Sequence, residues 1–295
     1  MFFYFFKLLF CYNFPMFSGN YGFFDYKGSI IGYTGQDYDG YGRLIYLLGS
    51  IVLLLVLLIV FRKAKRRTIN IYLKVLGITM TCLYLGKTIW ESYYDITVGS
   101  EHAFNLGILP FDTCSLIMYA GLLAGFAKGK LKKLADSRLI TGCLVGGVSN
   151  LLFLQALKYY PFWTFGAMYS MFWHFIMVFT ALWLLITNYC KLEFETLICA
   201  SIFHFVFSIP VIIFDYITQF DFMLYYRAGG APLISMLGDK MNEIHMNWVT
   251  TIVMVITYFA LFAGIIYVTK GIKLGLFEIG RRIKKVEEIP QGREE

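Results

Sequence analysis

Charge is scarce in this sequence. Asp, Glu, Lys and Arg make up 15% of its 295 residues, while 58% are hydrophobic and 19% aromatic. Ordinary soluble domains carry about 25% charged residues. A soluble core of this size could not hide so much apolar surface, so the chain reads as a polytopic membrane protein, all-α, one helical bundle. Other absences narrow the reading. There is no fixed-period repeat, no low-complexity tract and no pair of duplicated halves. The N-terminal "MFFYFFKLLFCYNFP" lacks a small-residue cleavage site, which argues against a signal peptide, and Met16 is a second candidate start. The six cysteines (Cys11, Cys82, Cys114, Cys143, Cys190, Cys199) include no C-x-x-C pair. Neither a disulfide framework nor a metal site is suggested, and no cofactor is expected.

Seven stretches approach the roughly 20 apolar residues that a span requires. They lie near 44–61, 71–90, 107–127, 139–157, 163–186, 195–218 and 248–269. The first is a plain lipid-facing anchor; the other six carry polar residues and must partly face one another. Residues 1–43 read as an interfacial segment, 44–270 as the seven-helix membrane domain and 271–295 as a charged tail. Three basic stretches, "RKAKRR", "KGKLKK" and "RRIKK", fall on one side if the spans alternate. The positive-inside rule puts that side in the cytoplasm, with the N-terminus outside. Lys63, Lys130 and Lys284 are then expected inside, and Glu101 and Asp239 outside. The net charge of +7 fits anionic inner-leaflet lipid. Spread over three short segments, it argues against a nucleic-acid partner.

Polar residues stand out where they interrupt this background, because an ionisable group inside a span is a functional candidate by default. At 1.5 Å per residue, Cys114 lies roughly 10 Å below the outer end of its span, His174 roughly 16 Å, Asn150 roughly 10 Å, Asp215 roughly 5 Å and His204 roughly 20 Å. Lys87 and Glu91 close span 2 at the same surface. A thiol becomes a nucleophile when a base takes its proton, and histidine is the natural base. Cys114 and His174 therefore form a candidate catalytic pair. Two starts for span 3 are open. Asp112 could cap a helix with Cys114 in its first turn, where the dipole favours thiolate. Alternatively, the helix begins near Asn105 and Pro110 kinks it; the second gives a span of adequate length and is preferred. Asp112 or Asn150 is expected to orient the His174 ring, with Asp215 supporting. In "LYYRAGGAPL", Arg227 has a donor fork suited to phosphate or carboxylate, and Gly229–Gly230 permits a tight turn. That loop is expected to fold back over the outer mouth and present Arg227 to a lipid headgroup, with Lys87 and Glu91 as further binding candidates.

Four stretches carry a resemblance: "ILPFDTCSL", "YSMFWHF", "WESYYD" after span 2 and "MLYYRAGGAPLISMLGD" before span 7. Over roughly residues 16–270 the order of segments is similar to the YwaF-like integral membrane family. That family resembles transmembrane protein 164, an animal phospholipid-remodelling acyltransferase, and more distantly the androgen-induced membrane hydrolases, which pair a span Thr with a span His. The resemblance implies a bacterial cell membrane, Cys114 as nucleophile and His174 as base. It also implies membrane lipid and an acyl-chain substrate as partners. One position departs: the family often has a histidine two residues before the cysteine, where this chain has Asp112. The competing expectation is a non-catalytic protein that binds or transports a lipid or small solute. Transporters usually carry internal repeats, and their absence favours the enzyme.

Overall fold

Long apolar runs become helices here because a bilayer leaves backbone groups no partner except each other. The computed structural model describes residues 22–26, 35, 41–97, 106–229 and 234–287. The expectations for Cys11, both candidate starts, Glu101 and Gly230 lie outside them. Among the described residues there is no strand, and seven helical segments are long and apolar enough to cross a membrane: Gly42–Phe61, Arg66–Tyr94, Leu106–Phe126, Gly129–Lys158, Phe165–Ile186, Phe194–Thr218 and Asn247–Glu278. The α-helices are α1 (Tyr41–Phe61), α2 (Arg66–Thr97), α3 (Leu116–Phe126), α4 (Gly129–Phe153), α5 (Phe165–Ile186), α6 (Phe194–Thr218), α7 (Ser235–Glu243) and α8 (Asn247–Glu287).

Burial ranks the helices. α1 shows most of its apolar side chains to the outside, from Leu44 to Val60, and touches the bundle mainly through α5. There Trp183 Nε1 donates to the Phe61 carbonyl (2.9 Å) and the Tyr46 hydroxyl to that of Met171 (2.6 Å). α5 is the most buried span, packed against α4. Glycines set the closest approaches. A Cβ on Gly77 of α2 would lie 2.5 Å from the Leu122 nitrogen of α3, and one on Gly125 would lie 2.7 Å from Lys74 Cα. On α4, a Cβ on Gly147 would lie 2.6 Å from Val178 Cγ2 and 3.1 Å from the His174 carbonyl. Small residues at such crossings let backbones approach where lipid offers no hydrophobic drive.

Three boundaries differ from the sequence reading. α4 begins inside the basic stretch, ten residues before position 139, so its first turns carry Lys130, Lys132 and Lys133. α8 runs unbroken to Glu287. Span 3 is not a Pro110-kinked helix. Its α-helix starts only at Leu116; before it come two 3₁₀ turns, Leu106–Ile108 and Thr113–Ser115, with Asp112 at the start of the second in extended conformation (φ −65°, ψ 148°). Proline supplies the reason, since Pro110 disfavours helical backbone at Leu109 and has no N–H to donate.

Candidate functional site

Eleven residues of α3 span only about 16 Å, so the rest of its path is irregular backbone at membrane depth. Such backbone is tolerated only where protein satisfies it, and three neighbours do so. The Tyr84 hydroxyl of α2 donates to the Ile108 carbonyl (2.7 Å), Arg138 Nη2 of α4 to that of Thr113 (3.2 Å), and Trp173 Nε1 of α5 to that of Cys114 (3.2 Å). From the far side, Tyr258 of α8 gives its proton to the Met223 carbonyl (3.1 Å) and so accepts one from Thr113 Oγ1 (3.0 Å). Cys114 is thereby fixed at the amino end of α3, in the half of the bundle away from the α1–α2 and α3–α4 loops.

His174 Nε2 stands 3.2 Å from Cys114 Sγ, and His174 Nδ1 lies 2.7 Å from the Ser170 carbonyl one turn earlier on α5. A carbonyl can only accept, so Nδ1 carries the ring hydrogen and Nε2 presents its lone pair to the thiol. Trp173 and His174 are consecutive; one holds the backbone of Cys114 while the other faces its sulfur. Gly146 of α4 lies behind the sulfur, where a Cβ would come within 3.4 Å of Sγ and 3.0 Å of Met177 Cε. His174 is buried (7% exposed) and Cys114 half-buried.

The ring is oriented by the Ser170 carbonyl, not by Asp112 or Asn150 as expected, because a helical carbonyl one turn back is already within reach of Nδ1. Asp112 is exposed and makes no capping bond. Asn150 lies one turn beyond Gly146 on α4, and its buried Oδ1 has no partner among the described residues. Lys87 and Glu91 form an ion pair at the end of α2, with the lysine over the Tyr84 and Tyr169 rings at 5.7 and 5.8 Å. Asp112 lies within electrostatic reach of this pair.

Asp215 and Arg227 belong to a second polar cluster. Asp215 is fully buried and its Oδ1 accepts from the Phe222 N–H (3.4 Å). Asp221, unsuspected from the sequence, organises the loop: Oδ1 accepts from the Tyr226 and Arg227 N–H groups (2.9 and 3.1 Å) and Oδ2 from Gly229 (2.9 Å). The loop packs into the bundle, with Tyr225 fully buried and its hydroxyl 3.0 Å from Ser208 Oγ and 3.1 Å from His204 Nε2. Arg227 stacks its guanidinium on Tyr226 (5.4 Å), and its buried Nε has no hydrogen-bond partner among the described residues. Sequence reasoning also missed Tyr84, Trp173, Tyr258 and Arg138. A Trp next to the candidate base was a usable signal, since a buried indole N–H requires an acceptor.

Among curated proteins and among solved structures, none matches the chain. A family model does match, over residues 38–267, which takes in the first six spans whole, the seventh as far as Tyr267, the Cys114–His174 contact and the Asp221 loop. The chain is a multi-pass membrane protein and belongs to the TMEM164 family.

Proposed function

We propose that the protein moves or hydrolyses an acyl chain of a membrane lipid through a thioester on Cys114. The observation that carries this reading is the 3.2 Å contact between His174 Nε2 and Cys114 Sγ, with the opposite ring nitrogen held by a carbonyl. The arrangement follows the logic of an activated nucleophile: a thiol, a base in hydrogen-bond reach and a group that orients the base. Nε2 takes the thiol proton as sulfur attacks the acyl carbonyl carbon. The C–S bond forms, and the carbonyl electron pair moves to oxygen. When that pair returns, the bond to the leaving alcohol breaks, and His174 gives its proton to the departing oxygen. An alcohol or water then repeats the sequence against the thioester. Helix-dipole charge at the amino end of α3 favours the anionic sulfur. By the positive-inside rule the site lies in the outer half of the membrane, so the substrate enters from the outer leaflet. Arg227, with its fork of donors, is suited to a lipid headgroup.

Membranes containing the protein, treated with a thiol-directed acyl probe, test the reading. Wild type is expected to be labelled at Cys114, and both Cys114→Ala and His174→Ala to lose the label while remaining folded. Equal labelling of Cys114→Ala and wild type would leave only a binding or transport role for this site.

A further inference from the structure

Arg138 is the largest fully buried side chain described, 1% exposed, in the third turn of α4. Its Nη2 donates to the Thr113 carbonyl, but Nε and Nη1 are buried without a hydrogen-bond partner among the described residues. Its guanidinium faces the Phe262 ring at 5.4 Å. Among the described residues, the ionisable groups in its electrostatic range are Cys143, Tyr258, Cys114, Tyr225 and His204, none of which supplies a carboxylate. It takes part in none of the ion pairs among the described residues. A buried cation left uncompensated is strongly unfavourable, and within a membrane such a group marks function by default. Capping one carbonyl needs only one of the five donors a guanidinium carries.

Position says what the remaining donors are for. A Cβ on Gly142 would fall 0.5 Å from Arg138 Nη1, so the guanidinium occupies the space that this glycine leaves empty. Gly146, four residues on, faces Cys114 Sγ, which a Cβ there would meet at 3.4 Å. Residues i and i+4 share one helix face, about 6 Å apart along the axis. The guanidinium and the sulfur therefore sit on consecutive turns of one face of α4. Each lies within the other's electrostatic range.

We propose that Arg138 is a further catalytic residue of this site, and that its uncommitted N–H groups receive the oxyanion formed when Cys114 attacks an acyl oxygen ester. The proposal rests on the acyl-transfer reading above. It also narrows the substrate: the electrophile is a neutral ester whose carbonyl oxygen gains charge only during reaction. The electron pair that leaves the C=O bond resides on that oxygen beside Arg138, then returns as the alkoxide leaving group departs and takes its proton from His174. Donors aimed at a developing charge, fixed in a site that excludes water, are among the largest contributors to catalysis.

Two electrophiles separate this role from its rivals. The full-length protein in nanodiscs is treated with p-nitrophenyl octanoate, which acylates through an oxyanion, or with iodoacetamide, which alkylates a thiolate and forms none. The Cys114→Ala rate is subtracted from each. Arg138→Lys and Gly142→Ala are compared with wild type; the second keeps the arginine and only displaces its guanidinium. Acylation is expected to fall about 100-fold in both variants, while alkylation, which also reports an intact site, stays near wild type. Parallel losses in the two reactions would overturn the proposal, because Arg138 would then act on the sulfur or on the fold. Unchanged acylation would overturn it as well, leaving the acyl-transfer reading standing. Wild-type acylation no faster than that of Cys114→Ala would remove that reading, and this one with it.

Discussion

His174 and His204 are both buried in the middle of apolar helices, yet their surroundings ask different things of them. Both ring nitrogens of His174 are engaged, one with the Ser170 carbonyl and one with a thiol. His204 faces the Tyr225 hydroxyl, which donates onward to Ser208, whose own proton goes back to the His204 carbonyl. Its Nδ1 has no partner among the described residues, and its ring packs 4.4 Å from that of Tyr258. In the first case the imidazole presents a lone pair to a reactive atom. In the second it anchors a loop inside the bundle. Burial and depth are common to both; only the atom opposite Nε2 separates a base from a brace.

Variants can break that comparison. The largest expected effect is on chemistry: His174→Ala lowers acylation of Cys114 by about 10²–10⁴-fold, the usual range for a lost base, whereas His204→Ala retains most of the rate. Comparable losses would erase the distinction. Next comes stability on the His204 side. Asp221→Ala removes the acceptor of three N–H groups and is expected to cost about 2–3 kcal/mol, read as a lower thermal midpoint with acylation per folded molecule preserved. Adjacent glycines of α4 sharpen the contrast further. Gly147→Ala forces a Cβ against Val178 and the His174 carbonyl and is expected to cost about 1–3 kcal/mol through overpacking. Gly146→Ala meets only the movable ends of Met177 and Cys114, so it slows acylation with little change in thermal midpoint. The smallest effect is expected for Trp173→Phe, about 1 kcal/mol for the bond to the Cys114 carbonyl.

Hydropathy alone located the seven spans, because each is an apolar run longer than any soluble element needs. What it could not fix were the ends, and one end mattered. Placing the start of span 4 at Leu139 left Arg138 just outside the membrane. The helix in fact begins at Gly129, which carries Arg138 two turns deep and makes it the most buried cation described. Basic residues lower the mean hydropathy of a helix start whether they reach solvent or turn inward, so composition could not tell Lys130 from Arg138. The Cys114–His174 contact was approachable from depth because both residues interrupt apolar runs. The group that orients His174 was not, since a backbone carbonyl has no letter in the sequence. Asp221 was hidden for a related reason: its partners are N–H groups of residues five to eight positions later, chosen by loop geometry. Orientation of the bundle is open to single-cysteine labelling, with positions 63 and 130 expected to react from the cytoplasm and position 239 from outside.

The central claim is that Cys114 carries an acyl group during turnover, and intact-peptide mass spectrometry tests it most directly. Purified protein is incubated with a phospholipid bearing one isotopically labelled acyl chain, quenched in acid and digested. The account predicts a labelled acyl adduct on the peptide containing Cys114, lost on treatment with neutral hydroxylamine and absent from His174→Ala. A labelled product formed at the wild-type rate by Cys114→Ala, with no adduct on this peptide at any time, would contradict it.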